Sequence, residues 1–181
     1  MTLVLASGSP QRKAILEALG VDFEVRVSDV AEGDEGPAAV VARENALRKA
    51  LAVRRVGETV LGVDTVVATG LELWGKPPNG DAAAATLRGL AGRTHEVVSG
   101  FALVDDDGVR AGDDTTLVTF RELTEEQVAW YVATGEWEGR AGGYAIQGAG
   151  GALVRRIDGD YLNVVGLPVG ALLDAGALPL G

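Results

Sequence analysis

The stretch that decides the fold reads Thr2-Leu3-Val4-Leu5-Ala6-Ser7-Gly8-Ser9-Pro10-Gln11-Arg12. Its apolar run, residues 2–6, predicts a strand, and the small residues that follow predict a turn. Ser9 is a good N-cap, and Pro10 suits the first helical position because its missing N–H would be unpaired there anyway. The stretch therefore predicts a strand, a turn and a helix in succession, and Gly20 can end that helix in the left-handed conformation.

The rest of the chain continues to alternate strands with helices. Further strands are predicted over residues 21–27, 59–68, 71–74, 94–104, 115–120 and 152–157. Further helices are predicted to begin near Pro37, Asn79, Thr124 and Pro168. Residues 105–108 and Asp158-Gly159 predict hairpins, and the glycine-dense residues 139–151 predict an irregular loop. The chain thus belongs to the α/β class, with a mixed sheet.

The composition limits the classes of function. A chain of 181 residues, 47% hydrophobic and 23% charged, suits one domain over residues 1–181, or two lobes that share a core. Its formal net charge of −10 argues against a nucleic acid polymer or an anionic membrane face as partner, so an anionic ligand must meet local cations or a metal. Cysteine is absent, which excludes disulfides and thiolate catalysis. Without a signal peptide or a long apolar run, we expect a soluble, cytoplasmic protein.

The turn from Ser7 to Arg12 has the chemistry of an anion site. The exposed N–H groups of a helix start favour an anion, and Arg12 can bind phosphate oxygens through two N–H groups. An ordinary capped turn explains the same residues equally simply. The turn is not a P-loop, because the glycine-lysine-hydroxyl run of that motif is missing.

Two carboxylates and a lysine are the other candidates for chemistry. Asp64 interrupts the apolar strand predicted over residues 59–68, where a carboxylate is costly to bury unless it is paired or bound to metal. Glu32, in an acidic loop, could join Asp64 in an oxygen-rich site for Mg²⁺ or Mn²⁺. Lys76, in the turn Gly75-Lys76-Pro77, could neutralise a phosphate. Solvated charges explain all three as well, and His95 lacks the partners of a Ser-His-Asp triad.

Taken together, several segments resemble the Maf family of septum-formation-inhibitor-like nucleoside triphosphate pyrophosphatases. The resemblance spans almost the whole chain and keeps the order of its motifs. Those motifs are Leu5-Ala6-Ser7-Gly8-Ser9-Pro10-Gln11-Arg12, Gly62-Val63-Asp64-Thr65, Gly75-Lys76-Pro77, Leu90-Ala91-Gly92-Arg93-Thr94-His95, residues 131–136, residues 141–148, and Asp158-Gly159-Asp160-Tyr161 through Val165-Gly166-Leu167-Pro168.

The resemblance implies an elongated mixed sheet with flanking helices, similar to inosine triphosphate pyrophosphatase, with two lobes around a central cleft and often a homodimer. It implies cleavage of a nucleoside triphosphate to the monophosphate and pyrophosphate with a divalent cation. The segments Gly62-Val63-Asp64-Thr65 and 143–148 are similar to the subgroup that prefers dTTP and UTP. Carried onto this chain, the resemblance implies that Asp64, Lys76, Arg12 and Gln147 are catalytic, that Ser7, Ser9, Arg12 and Thr65 bind the substrate, and that Asp64 and Glu32 bind the metal. We also expect Gln11 and Lys49 to bind the substrate, although neither matches the family pattern.

The chain departs from the family pattern at two positions. Gln11 stands where the family has the first of two arginines, and Asn45 stands where it has a lysine. Lys49, one helical turn beyond Asn45, is the predicted substitute for that charge, with Arg48 as the alternative. These two departures also favour a second hypothesis, that the chain is a nucleotide-binding regulator of cell division with little or no catalysis. An unrelated phosphatase or kinase fits poorly, because the P-loop and the nucleophile signatures are absent.

Overall fold

The computed structural model describes residues 3–178, so Thr2 of the first predicted strand lies outside the described residues. The described part contains seven strands: β1 (Leu3–Leu5), β2 (Phe23–Val25), β3 (Thr59–Thr69), β4 (Glu72–Trp74), β5 (Thr94–Asp105), β6 (Gly108–Phe120) and β7 (Val154–Asp158). Its α-helices are α1 (Pro10–Ala18), α2 (Ala38–Val53), α3 (Gly80–Leu90), α4 (Glu125–Ala133), α5 (Tyr161–Val165) and α6 (Val169–Asp174). None of these helices is long and apolar enough to cross a membrane.

One mixed sheet joins all seven described strands in the order β2-β1-β3-β5-β6-β7, with β4 paired to β3 at the side. Strands β2, β1 and β3 are parallel, and the remaining pairs are antiparallel. Helices flank this sheet, and the largest buried clusters lie around Leu16 and Phe101 at one end and around Leu87 and Tyr131 at the other. The predicted α/β class with a mixed sheet is confirmed.

The predicted helix starts are confirmed by their caps. The Ser9 hydroxyl accepts the Arg12 N–H at 3.4 Å, and Pro10 is the first residue of α1. Asn79 caps α3, and Thr124 forms a capping box with Gln127 at the start of α4. Each cap depends on residues within one helical turn, which is why the sequence alone predicts it.

Several predicted strand bounds are wrong. Strand β2 covers only three residues, β7 begins at Val154 rather than at residue 152, and β6 begins at Gly108 rather than at residue 115. The long β6 exists because it pairs with β5 along its whole length, from Asp105↔Gly108 to Thr94↔Thr119. The glycine-dense loop contains two 3₁₀ turns, Ala141–Gly143 and Ala149–Leu153.

The hairpin predicted at Asp158-Gly159 is also wrong. The chain leaves β7 and enters α5, because the Asp160 side chain accepts the Leu162 N–H at 2.8 Å and caps a helix there. The short α5 ends at Gly166, which adopts a φ of 126°. This turn directs the Gly166 carbonyl toward the first helix, where it takes part in the site described below.

Helix α2 lies unusually close to the sheet, and two glycines permit the approach. A β-carbon at Gly62 of β3 would lie 2.0 Å from the carbonyl oxygen of Ala46, and one at Gly100 of β5 would lie 2.4 Å from the carbonyl carbon of Ala42. Any larger residue at either position would push α2 outward. Because residues two apart on a strand share a face, the contact at Gly62 sets the distance from α2 to Asp64.

Candidate functional site

A cavity of about 490 Å³ opens between the turn after β1, the loop before α2, strand β3 and the glycine-dense loop. Every site residue predicted from the sequence lines it: Ser7, Ser9, Gln11, Arg12, Glu32, Lys49, Asp64, Thr65, Lys76 and Gln147. Arg48, the alternative to Lys49, does not line the cavity and instead pairs with Glu44 on the exposed face of α2. The fold therefore assembles residues that are as far as 140 positions apart in the sequence into one site.

Arg12 is buried with neutral partners only. Its Nε donates to the Gly166 carbonyl at 2.8 Å, its Nη1 to the Ser7 hydroxyl at 2.8 Å, and its Nη2 to the Thr65 hydroxyl at 3.1 Å. No carboxylate among residues 3–178 forms an ion pair with it. Burial lowers the pKa of Arg12, and the negative charges of Asp64 and Glu32 partly offset that effect. An arginine remains protonated in proteins, so the site holds a desolvated positive charge without a contacting counter-ion.

Asp64 is buried and held by two side chains of α2. The Lys49 ammonium lies 2.6 Å from Asp64 Oδ1, and the Asn45 amide donates to Oδ2 at 3.0 Å. Each carboxylate oxygen can accept two hydrogen bonds, so each retains one free acceptor position for water or a ligand. Asp64 thus has a fixed orientation and a remaining capacity to accept hydrogen bonds.

Asn45 also connects the acidic loop to the site. Its side chain accepts the Gly33 N–H at 2.7 Å and donates to the Gly33 carbonyl at 2.9 Å. These two bonds fix the loop beside Asp64, so Glu32 comes within 2.7 Å of the Lys49 ammonium. The expectation that Asn45 is only a lost charge therefore misses its structural contribution.

Glu32 lies between two lysines, Lys49 and Lys76, the second at 3.3 Å. Burial raises the pKa of Glu32, but hydrogen bonds and charge attraction from the two lysines outweigh burial, so its pKa lies below the ordinary value. Lys76 is half exposed at the cavity wall, and its pairing with Glu32 is correspondingly weak. A triphosphate that enters the cavity can therefore compete for this ammonium.

The positive charges of the cavity outnumber the negative ones. The lining contains four cations, Arg12, Lys49, Lys76 and Arg140, and three carboxylates, Glu32, Asp64 and Glu138. The chain as a whole has a net charge of −10. The site is thus a local region that attracts anions within an acidic protein.

The comparisons with known proteins bear on the identity of this site. The family model described as Maf-like protein matches residues 2–175. The chain belongs to the Maf family. It is 48% identical to a dTTP/UTP pyrophosphatase of Thermus thermophilus, covering 92% of this chain and 89% of the relative. It is 46% identical to a protein of the same name from Exiguobacterium sibiricum, over 92% and 87%, and 42% identical to one from Pyrococcus furiosus, over 92% and 90%.

In this Maf chain three of the predicted site residues differ in whether their side chains already form a hydrogen bond. The Ser9 hydroxyl donates to Gln11 Oε1 at 3.0 Å, so both side chains are tied to the start of α1. Gln147 is exposed at the cavity rim and forms no hydrogen bond with the described residues. The amide of Gln147 is therefore available to a ligand without breaking an existing contact.

Sequence reasoning missed several residues of this Maf site. Arg140 lines the cavity from the second wall, where its Nη1 is held by the Glu136 and Glu138 carbonyls. Its position directly before the motif at residues 141–148 was the available signal. The Gly166 carbonyl carried no signal, because any residue has one.

His95, which lacks triad partners in the sequence, is part of the buried core. It is 1% exposed, and its Nε2 lies 2.8 Å from the Tyr144 hydroxyl within a cluster of aromatic rings. Burial lowers the pKa of His95 to about 4, so the ring is neutral near pH 7. It does not line the cavity.

Proposed function

We propose that this chain is a nucleoside triphosphate pyrophosphatase that hydrolyses dTTP and UTP to the monophosphate and pyrophosphate. The observation that carries the proposal is the buried Arg12 guanidinium with only neutral partners, on the same cavity as an oriented carboxylate, Asp64. A desolvated cation of this kind stabilises a bound anion strongly. The names of the relatives at 42–48% identity support the substrate class.

The proposed roles follow from position. Arg12, Ser7, Ser9, Gln11 and Thr65 bind the phosphates at the start of α1, where the positive end of the helix dipole also favours an anion. Lys76 contributes a cation from the opposite side, and its charge stabilises the leaving pyrophosphate.

Asp64 accepts the proton of the attacking water as that water approaches the α-phosphorus. Lys49 and Asn45 hold the carboxylate in a single orientation for this purpose. Gln147 contacts the substrate from the rim. Catalysis thus depends on position and electrostatics, as is usual in phosphoryl chemistry.

The donor set of the cavity fits a divalent cation held jointly with a triphosphate. Mg²⁺ commonly takes one or two carboxylates and completes its shell with water and substrate phosphates, and Asp64 and Glu32 are two carboxylates joined through Lys49. Within residues 3–178, no group of three or more His, Cys, Asp or Glu side chains could hold a metal ion. With Mg²⁺ or Mn²⁺ bound, the site gains neutralisation of the phosphate charge.

The test is a pyrophosphate-release assay on dTTP and UTP with Mg²⁺ or Mn²⁺. We expect turnover in the wild type, loss of at least a hundredfold in kcat for Asp64→Asn because the proton acceptor is removed, and wild-type rates for Asp158→Asn, an exposed carboxylate on β7. A nucleotide panel in which 7-methyl-GTP is hydrolysed far faster than dTTP and UTP would contradict the substrate assignment.

The second hypothesis, a regulator without catalysis, predicts tight triphosphate binding and no pyrophosphate release by the wild type. Gln11 still favours it, but Asn45 does so less, because this residue orients Asp64. The single Maf-like domain over residues 1–181 and the homodimer both stay predictions, which limited proteolysis and sedimentation equilibrium would test.

A further inference from the structure

We infer that Ser99 is a positioning residue that orients Arg12 through a chain of hydroxyl groups, without touching the substrate. The inference rests on the proposed function, since it concerns how the phosphate-binding arginine is held. Ser99 is fully buried on β5 and does not line the cavity. Its cross-strand neighbour on β3 is Thr65, whose hydroxyl accepts a hydrogen bond from Arg12.

The Ser99 and Thr65 hydroxyls have two protons for three contacts, and the longest of these is the 3.4 Å approach of Thr65 to the Gly166 carbonyl, which already accepts from Arg12. The Ser99 hydroxyl donates to the Asn163 main-chain oxygen at 3.2 Å, which can only accept. Ser99 has no second proton, so in its 2.8 Å contact with Thr65 it accepts, and Thr65 donates. The Thr65 oxygen then has lone pairs free for the Arg12 Nη2 at 3.1 Å. Ser99 thus holds the Thr65 hydroxyl in an orientation in which its oxygen accepts from the Arg12 guanidinium.

The far end of the chain is anchored in the sheet. The Asn163 side chain is buried and donates to the Val97 carbonyl at 3.0 Å and to the Thr116 hydroxyl at 3.0 Å, which ties α5 to β5 and β6. The same short helix ends at Gly166, whose carbonyl accepts from Arg12 Nε at 2.8 Å. Helix α5 therefore fixes the guanidinium twice, directly through Gly166 and indirectly through Asn163, Ser99 and Thr65.

This arrangement explains how a buried arginine keeps one orientation without an acidic partner. A carboxylate would neutralise the charge that the phosphate needs, whereas hydroxyl and carbonyl acceptors direct the guanidinium and leave its charge uncompensated. When the Ser99 hydroxyl is removed, Thr65 can donate only to the Gly166 carbonyl at 3.4 Å, which Arg12 already uses. The Thr65 hydroxyl would then lose its fixed orientation, so Arg12 Nη2 would have a less well-defined acceptor, while the Arg12 contacts with Gly166 and Ser7 remain.

The experiment compares Ser99→Ala, Ser99→Thr, Thr65→Val and the double variant Ser99→Ala/Thr65→Val in the full chain. Calorimetry gives the Kd for inorganic pyrophosphate, steady-state assays give kcat and KM for dTTP, and urea titration gives folding stability. The control is Thr94→Val, which removes an exposed cross-strand hydroxyl contact of the same 2.8 Å length, with Thr119.

We expect Ser99→Ala to weaken pyrophosphate binding and lower kcat/KM by about tenfold, the loss typical of one buried hydrogen bond near a charge. Ser99→Thr retains the hydroxyl and restores most of the affinity, and Thr94→Val matches the wild type. Because Ser99 acts only through Thr65, the double variant should equal Thr65→Val alone. If Ser99 were merely structural, Ser99→Ala would lower the folding stability, and its effect on pyrophosphate affinity would not depend on whether Thr65 is present.

Unchanged affinity and kinetics in Ser99→Ala, or additive losses in the double variant, would overturn the inference. A wild type that binds pyrophosphate but releases none from dTTP would contradict the proposed function. The Kd values of the variants for pyrophosphate would still decide the role of Ser99. A wild type that binds no pyrophosphate would overturn both.

Discussion

Replacing Lys49 by methionine removes the cation between two carboxylates while keeping most of the volume of the side chain. The Lys49 ammonium lies 2.6 Å from Asp64 and 2.7 Å from Glu32, with 11% of the side chain exposed. Deleting one partner of a buried ion pair costs about 3–5 kcal/mol, because the remaining charge stays desolvated. Asn45 still donates to Asp64, and Glu32 is partly exposed, so we expect the low end, about 3 kcal/mol at pH 7.

The loss should depend on pH in a defined direction. In the wild type burial raises the pKa of Glu32, but the two lysines hold it below its ordinary value, so their contribution to stability is present above the pKa of the unfolded carboxyl and is lost as the pH falls. Lys49→Met removes the nearer of these lysines and with it most of that pH-dependent contribution. Urea titrations of wild type and variant between pH 4.5 and pH 8 should show a difference in unfolding free energy that narrows as the pH falls. Asp64→Asn added to Lys49→Met should recover part of the loss, because it removes the buried charge.

Arg48→Met is the matched control for this variant. Arg48 is on the same helix and pairs with Glu44 at the surface, with about half of each side chain exposed. Such a pair contributes about 0–1 kcal/mol, so its removal should change stability little at any pH. A Lys49→Met variant as stable as Arg48→Met, or one whose loss is the same at every pH, would refute the electrostatic account of the site.

Two further predictions concern the framework. Gly62→Ala places a β-carbon 2.0 Å from a carbonyl oxygen of α2, so urea titration should show a loss of about 3 kcal/mol in folding stability. The control Gly75→Ala, whose β-carbon would have nothing within 4 Å, should have little effect. Equal stability of the two variants would show that α2 can move freely. The pKa of His95 is lowered by burial from 6.5 to about 4, so between these values the unfolded chain binds the extra proton and stability falls as the pH drops. Across that pH window the wild type should lose up to about 3 kcal/mol of unfolding free energy, and His95→Gln should not. Parallel profiles of unfolding free energy against pH for the two proteins would contradict a neutral, buried ring.

Local signals in the sequence predicted the helix starts well. Ser9 with Pro10, and Thr124 with Gln127, specify a cap within four residues, and the structure confirms both. The information is complete within one helical turn, so no distant contact is needed to form the cap.

Elements that depend on distant contacts were predicted poorly. The first half of β6 contains Arg110, Asp113 and Asp114, which interrupt the alternation typical of a strand, and pairing with β5 along the whole segment holds it extended. Helix α5 has five residues, too few to show a helical period, and is held by the bonds of Asn163 to the sheet. Such elements are stabilised by tertiary contacts rather than by their own propensity.

The candidate site shows the same contrast between residues in local motifs, which were predicted, and roles that depend on distant contacts, which were not. The sequence, largely through its resemblance to a known family, identified ten residues that all line the cavity, because most of them occur in recognisable short motifs. It misjudged Asn45, because a comparison of residue types counts a lost charge and does not reveal that the amide joins Gly33 to Asp64. It also gave no role to Ser99 or Gly166, whose contributions are a hydrogen-bond direction and a carbonyl position.

The two sides of the cavity treat a buried charge in opposite ways, since Asp64 on the α2 side is paired with a cation and Arg12 on the α1 side has only neutral partners. On the α2 side, Gly62 lets the helix approach closely enough for Lys49 to neutralise Asp64, so a carboxylate can be buried and oriented there. On the α1 side, Arg12 receives only neutral acceptors, so its charge stays uncompensated. In the proposed mechanism, exchanging these arrangements would bury an unpaired carboxylate at the phosphate-binding side and neutralise the arginine that binds the phosphate there. The pairing of one charge and the isolation of the other are therefore what the proposed mechanism requires, with the triphosphate on the Arg12 side and the activated water on the Asp64 side.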